Sequence, residues 1–233
     1  MTVSEWTHIQ THILEFEEKG LVTRTFRRLD PDRQQIIIAA ILSEAIEKGP
    51  ADLNIKQVAE RAGVSVGSLY TYFGNRDGLM NFAIALCIGY LTDAFETFRP
   101  MLAALPLTEA LTAYLGGGIE WSRTWMGLIQ FFARAAYRGD AELGERVVRP
   151  IADAMRRTVQ DILQAAIERG ELRPDIDLEA ATRLVHGLTI VVGDSQLLPY
   201  LNTYFQTTAD TVAFERVLKA MISLIEEGFG SKK

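Results

Sequence analysis

The run from Asn54 to Leu79, NIKQVAERAGVSVGSLYTYFGNRDGL, constrains the fold more tightly than any other part of the chain. Its punctuation leaves room only for short helices. Asn54 predicts an N-cap, with Gln57 three residues on as a capping-box partner. Ile55, Val58, Ala59 and Ala62 then form the inner face of a two-turn helix. Gly63 stands where a helix end needs a left-handed residue. Ser65 caps a second short helix, and Val64 and Leu69 are spaced as a hydrophobic staple. Asn75 opens a longer helix running from Arg76 toward Phe98. Two short helices about a glycine turn describe a helix-turn-helix, whose second helix enters the major groove.

The remainder reads as helix too. Ser4 predicts the cap of a first helix of about 14 residues, with Trp6, Ile9, Ile13 and Phe16 on one stripe and Gly20 at its end. A basic connector, RTFRRLDPDR, follows. Asp30-Pro31 starts a helix from Pro31 to Lys48, and Gly49-Pro50 stops it. Beyond Pro100 the 3.6-residue pattern predicts helices at about 107–115, 119–137, 141–169, 178–198 and 209–228. Gly116-Gly117-Gly118 marks a break or kink. With 48% hydrophobic residues the chain can bury a sizeable core, and the fold class is all-α.

Several functions are disfavoured. Cys87 is the only cysteine, so no internal disulfide forms, which suits a cytoplasmic protein. The first residues lack a basic start and an apolar run, and no stretch of about 20 uninterrupted apolar residues predicts a membrane span. There is no G-x-S-x-G, P-loop or Cys/His cluster. Asp194, His186 and Ser195 on one helix cannot converge as a relay. His8 and His12 have metal spacing without the glutamate or a third ligand. The expectation is no enzyme, no metal and no cofactor. The net charge of −6 does not exclude DNA, because residues 19–77 carry nine Lys or Arg against seven Asp or Glu and phosphates sense charge within about 8 Å.

The second short helix has a divided surface. Val66, Leu69 and Phe73 face the core; Gly67 and Thr71 share one outer stripe, Ser68 and Tyr72 the next. Asn75-Arg76 then offers free backbone N–H groups and a guanidinium to a phosphate.

The run LNIKQVAERAGVSVGSLYTYFGNRDGLM resembles the helix-turn-helix of the tetracycline-repressor (TetR) family, and RQQIIIAAILSEAIEKG resembles the helix before it. The specific match covers about Arg33 to Phe82. Further on, only the helical layout and ELRPDIDLEAATRL agree. The resemblance implies an N-terminal three-helix DNA-binding domain (31–80), an extra N-terminal helix and connector (1–30), and a larger helical ligand-binding and dimerisation domain (81–233). It implies that Val66, Gly67, Ser68 and Tyr72 face bases or the groove, with Ser65 and Thr71 beside them. Asn54, Tyr70 and Arg76 would hold phosphates, with Lys56 and Arg61 in second rank. Val66 departs from the family's frequent Lys or other polar residue, and Arg76 replaces its more usual Lys.

Arg24, Arg27, Arg28 and Arg33 read either as an arm into a minor groove or as a solvated linker. Helices 178–198 and 209–228 are apolar enough to join two copies. Tyr114, Trp121, Trp125, Met126, Phe131, Phe132 and Tyr137 line the expected pocket for a small apolar or aromatic effector, with Glu120 and Arg123 as nearby polar groups. Two alternatives stand beside this regulator of an operator: a DNA binder without an inducer, and a helical enzyme or interaction module.

Overall fold

The structure, a computed structural model, describes residues 12–139 and 141–230. Among these it is helical, with no strand beyond the isolated bridges Leu172–Gly230 and Ala209–Val212. Residues through Tyr90 form one compact unit together with Trp125–Phe132; Leu91–Thr124 and the chain from Ala133 onward form another. The first unit thus extends past residue 80.

The first unit holds α1 (Ile13–Glu18), α2 (Arg24–Arg27), α3 (Pro31–Lys48), α4 (Ile55–Ala62), α5 (Val66–Phe73) and the start of α6 (Arg76–Ala104). The Asp30 carboxylate accepts the Asp32 N–H at 2.9 Å, and Pro31 occupies the first turn, where its missing donor is harmless. Ile37, Ile38, Ile41, Val58, Leu69, Leu79 and Phe82 are fully buried together. An aromatic chain crosses this core: Phe26 lies 5.2 Å from Phe73, Phe73 lies 4.8 Å from Phe82, and Phe82 lies 5.3 Å from Phe16, centre to centre.

Phe16 and Phe26 precede the helix-turn-helix, so the described part of the N-terminal extension packs on its own protein. The connector is not an open linker: Arg24–Arg27 is helical. The predicted Ser4 cap, Trp6, Ile9 and His8 lie outside the described residues; His12 bonds Glu15 at 2.9 Å.

The second unit continues with α7 (Leu107–Thr112), a π-helical turn (Ala113–Gly117), α8 (Gly118–Thr124) and the end of α9 (Met126–Tyr137). After it come α10 (Ala141–Leu143), a second π turn (Gly144–Val148), α11 (Arg149–Glu168), α12 (Leu178–Leu197), α13 (Pro199–Phe205) and α14 (Phe214–Phe229). Leu111, Val159, Ile162, Leu163, Leu172, Val185 and Ile225 fill its core.

Four boundaries differ from expectation. The helix from Arg76 does not stop at Phe98 but runs through Pro100 to Ala104, although the proline leaves that turn without one backbone donor. The glycine triplet does not break the helix; a π turn takes up the extra residue. A short helix begins at Pro199, and the last one starts at Phe214 rather than 209. Between them the Asn202 amide holds both backbone groups of Thr208, at 3.0 and 3.2 Å.

By length and composition α6 is apolar enough to cross a bilayer. Part of its apolar surface is packed, Leu79, Phe82, Leu86 and Cys87 in the first core and Phe95 and Leu102 against the second, while Phe98 and Met101 are exposed.

Gly127 explains how the later segment joins the first unit. A Cβ there would be driven into the Ile46 carbonyl at the end of α3. Gly127→Ala is expected to destabilise the protein by about 1–3 kcal/mol through overpacking, measured by urea unfolding, while Gly89→Ala, where a Cβ meets nothing within 4 Å, has no such effect.

Candidate nucleic-acid interface

Two capped helices and a left-handed joint make the site. The Asn54 side chain accepts the N–H groups of Lys56 and Gln57 at 3.2 and 3.3 Å. The reciprocal half of the expected capping box is not formed, because Gln57 turns to Glu60 instead, at 3.3 Å. α4 ends at Gly63, with φ 60° and ψ 39°, a conformation open to glycine without a Cβ clash. The Arg33 guanidinium closes this turn by donating to the Gly63 carbonyl at 2.9 Å.

Ser65 then caps α5, its hydroxyl oxygen accepting the Ser68 N–H at 2.9 Å. The Ser65 and Ser68 hydroxyls are also 2.9 Å apart. Leu69 and Phe73 anchor the inner face, and Val64 leans on the same core as the staple spacing requires.

The outer face of α5 is polar and uncharged. Gly67 and Thr71 are exposed, and Ser68 and Tyr70 half-buried. The Thr71 hydroxyl donates to the Gly67 carbonyl at 3.0 Å, so its one proton is committed. Val66 and Tyr72 are half-buried and lean against the core; Tyr72 lies 5.9 Å from Phe26. Asn75 caps α6 through the Gly78 N–H at 2.9 Å. A Cβ on Gly78 would strike the Phe73 carbonyl, so this glycine permits the close approach of α6 to the end of α5.

The cations differ in freedom. Lys56 and Arg76 are exposed, and neither side chain has a carboxylate partner among the described residues. Arg61 is already engaged. It bonds the Ser43 hydroxyl at 3.0 Å, Glu47 at 2.9 Å and Glu44 at 3.2 Å. The hydrogen bond from Arg61 holds the Glu47 carboxyl below its usual range. Only 2% of the Glu44 side chain is exposed, and it also takes the Asn54 N–H at 3.3 Å. No local spacing signals this clamp, since its partners lie 14 to 18 residues away on α3. The open recess beside it is lined by Glu44, Glu47, Lys48, Asp52, Asn54, Gln57 and Arg61, a charged surface with no apolar wall.

The expected effector residues do not fall in one unit. Trp125, Met126, Phe131 and Phe132 belong to the first; Tyr114, Trp121 and Tyr137 belong to the second. Trp125 stacks on Tyr90 with ring centres 4.4 Å apart. Tyr114 sits in the first π turn with its hydroxyl buried beside Thr189. Burial raises its pKa. The nearby Thr189 hydroxyl donates to the His186 carbonyl at 2.8 Å. Tyr137 is exposed and donates to Asp194 at 2.6 Å, while burial pushes the Asp194 carboxyl up. Glu120 and Arg123 pair with each other at 3.0 Å on the surface.

A helix-turn-helix joined to a larger helical unit defines a class of DNA-binding regulators, and sequence comparison identifies the family. Residues 37–81 match the bacterial regulatory proteins of the tetR family, and residues 97–192 match the tetracyclin repressor-like C-terminal domain. The chain belongs to the TetR family of helix-turn-helix transcriptional regulators.

Among its relatives, the HTH-type transcriptional regulator BetI 1 of Chromohalobacter salexigens is 28% identical, over 68% of this chain and 89% of that protein. The HTH-type transcriptional repressor KstR2 of Rhodococcus jostii is 24% identical, over 79% and 85%. A putative TetR-family regulator from Mesorhizobium loti shares the fold with a TM-score of 0.60 at 17% identity, over 90% of this chain and all of that one. So does the regulator FadR from Bacillus subtilis, solved in complex with stearoyl-CoA (TM-score 0.54, 18% identity, 84% and 98% covered).

Removing Arg61 strands the Glu44 carboxylate. Arg61→Ala is expected to lower the urea midpoint, since Glu44 then keeps only the Asn54 N–H, whereas Lys56→Ala, which deserts no partner, leaves it unchanged.

Proposed function

We propose that the protein is a cytoplasmic repressor that binds a pseudo-palindromic operator as a homodimer and is released by a small effector. The observation that carries this reading is the outer face of α5, polar and uncharged, with Lys56 and Arg76, cations without a carboxylate partner among the described residues, on the neighbouring helices. In this reading Gly67 and Ser68 face bases, the half-buried Val66 and Tyr72 reach the groove only by their outer edges, and Ser65 and Thr71 stand at the groove edge. Asn54, Lys56, Tyr70 and Arg76 hold phosphates. Arg61 acts on DNA indirectly, by bracing α4 on α3.

One such helix reads too few base pairs to select a genomic site, so two are needed, about 34–36 Å apart. In this reading two copies pair through α12 and α14, which is supported by the exposure of Leu184, Leu188 and Leu224 (64%, 37% and 62%). Large apolar side chains grouped at a surface favour association.

For the effector we infer a largely apolar molecule bearing a polar group. Tyr114 and Trp121 of the second unit support the apolar part, and the buried Tyr114 hydroxyl supports the polar part. The stearoyl-CoA of the FadR complex, a protein alike in fold, has this character. Release requires the effector to favour the DNA-incompetent geometry, and a coupling of about 1–3 kcal/mol weakens operator binding about 5–150-fold. The chain passes between the units within α6 and at both ends of Trp125–Phe132, and these passages would carry the coupling.

Selection of bound sequences from random duplexes is expected to recover a pseudo-palindrome. Ser68→Ala is expected to relax preference at one base pair by roughly 1–3 kcal/mol. Arg76→Ala is expected to weaken all sequences alike and lower the salt slope by about one unit. The opposite pattern would reverse the assigned roles. Leu224→Asp is expected to yield monomers in sedimentation and to abolish tight operator binding; a variant that stays dimeric would place the interface elsewhere.

A further inference from the structure

We propose that the segment Thr23–Arg28 is a built part of the DNA-reading surface, with Thr23 clamping the end of α5 and Arg24 and Arg28 gripping phosphates that flank the bases read by α5. This rests on the DNA-binding function proposed above.

The last carbonyls of a helix have no partner within it. In α5 they receive one from outside. The Thr23 N–H donates to the Tyr72 carbonyl at 2.8 Å, and its hydroxyl donates to the Thr71 carbonyl at 2.9 Å. The same hydroxyl oxygen accepts the Phe26 N–H at 3.4 Å, so one side chain ends α5 and starts α2. The far end of α2 is fixed as well. Buried Gln34 donates to the Phe26 and Arg27 carbonyls, both at 3.0 Å. Fully buried Phe26 wedges against Tyr72 and Phe73. Arg24–Arg28 is therefore held at the end of the recognition helix and does not form a trailing arm.

Charge indicates what this segment meets. Arg27 is neutralised by Glu17. Arg24 and Arg28 are exposed and have no carboxylate partner among the described residues. They stand four residues apart on one face, where two like charges repel. An anionic partner relieves that repulsion, and two guanidiniums one turn apart beside the recognition helix suit successive phosphates of the duplex it reads.

The test uses the full-length protein and the duplex recovered by selection. Replacing Arg24→Gln and Arg28→Gln together is expected to lower the slope of log affinity against log salt by about 0.9 for each phosphate no longer neutralised. Hydroxyl-radical protection is expected to vanish at the outer ends of the footprint, with base preference unchanged. Thr23→Val is expected to weaken every sequence roughly three- to tenfold, and Thr23→Ser to restore binding. If the paired arginine variant keeps the slope and the outer protection while Arg76→Ala lowers the slope, the arginines face only water and the inference fails. If the unaltered protein protects no duplex at all, the DNA-binding reading itself falls and takes this one with it.

Discussion

A helix of eight residues with a glycine near its start does not hold itself together in water. Nucleation is costly, and isolated helices shorter than about 12–15 residues are marginal. α5 is such a helix, and the structure around it supplies what it lacks. Ser65 satisfies a donor at its beginning. Leu69 and Phe73 bury its inner face. Thr23 satisfies carbonyls at its end, and Gly78 allows the next helix to abut the last one. Support from every side but one leaves the remaining face free of structural duty, and that face alone is open to selection for recognition.

Glu44 belongs to the same logic. A buried carboxylate is costly unless it is well bonded. Here it accepts the backbone N–H at the start of α4 and faces Arg61 from the last turn of that helix. One side chain of α3 thus fixes both ends of α4. The pair ties α4 to α3 at two defined points, which hydrophobic contacts, being non-directional, do poorly.

Local punctuation was legible from the residues. Asp30-Pro31, Asn54, Gly63, Ser65 and Asn75 each act through groups one to three positions away, so their effects follow from spacing alone. The partners that spacing could not reveal lie far along the chain. Thr23 meets Thr71 across 48 residues, and Arg61 meets Ser43 across 18. Proline and glycine misled in the opposite direction. Pro100 and the Gly116–Gly118 triplet read as interruptions, yet both are absorbed within helical paths. The expected effector lining rests on composition alone. Aromatic side chains fill a core as readily as they line a pocket, and Trp125 stacks on Tyr90 within the first unit.

The seating of Trp125–Phe132 bears on how this molecule tolerates being cut and recombined. The region matching the N-terminal family profile ends at residue 81, a natural place to splice a reader onto a foreign body. A graft made there would leave behind Leu128 and the glycine that nestles on the α3 carbonyls. The transplanted head would expose raw apolar surface unless its new host happened to supply an equivalent plug. In this chain the reader is not a contiguous cassette: exchanging it intact means carrying over an eight-residue patch encoded more than thirty residues downstream.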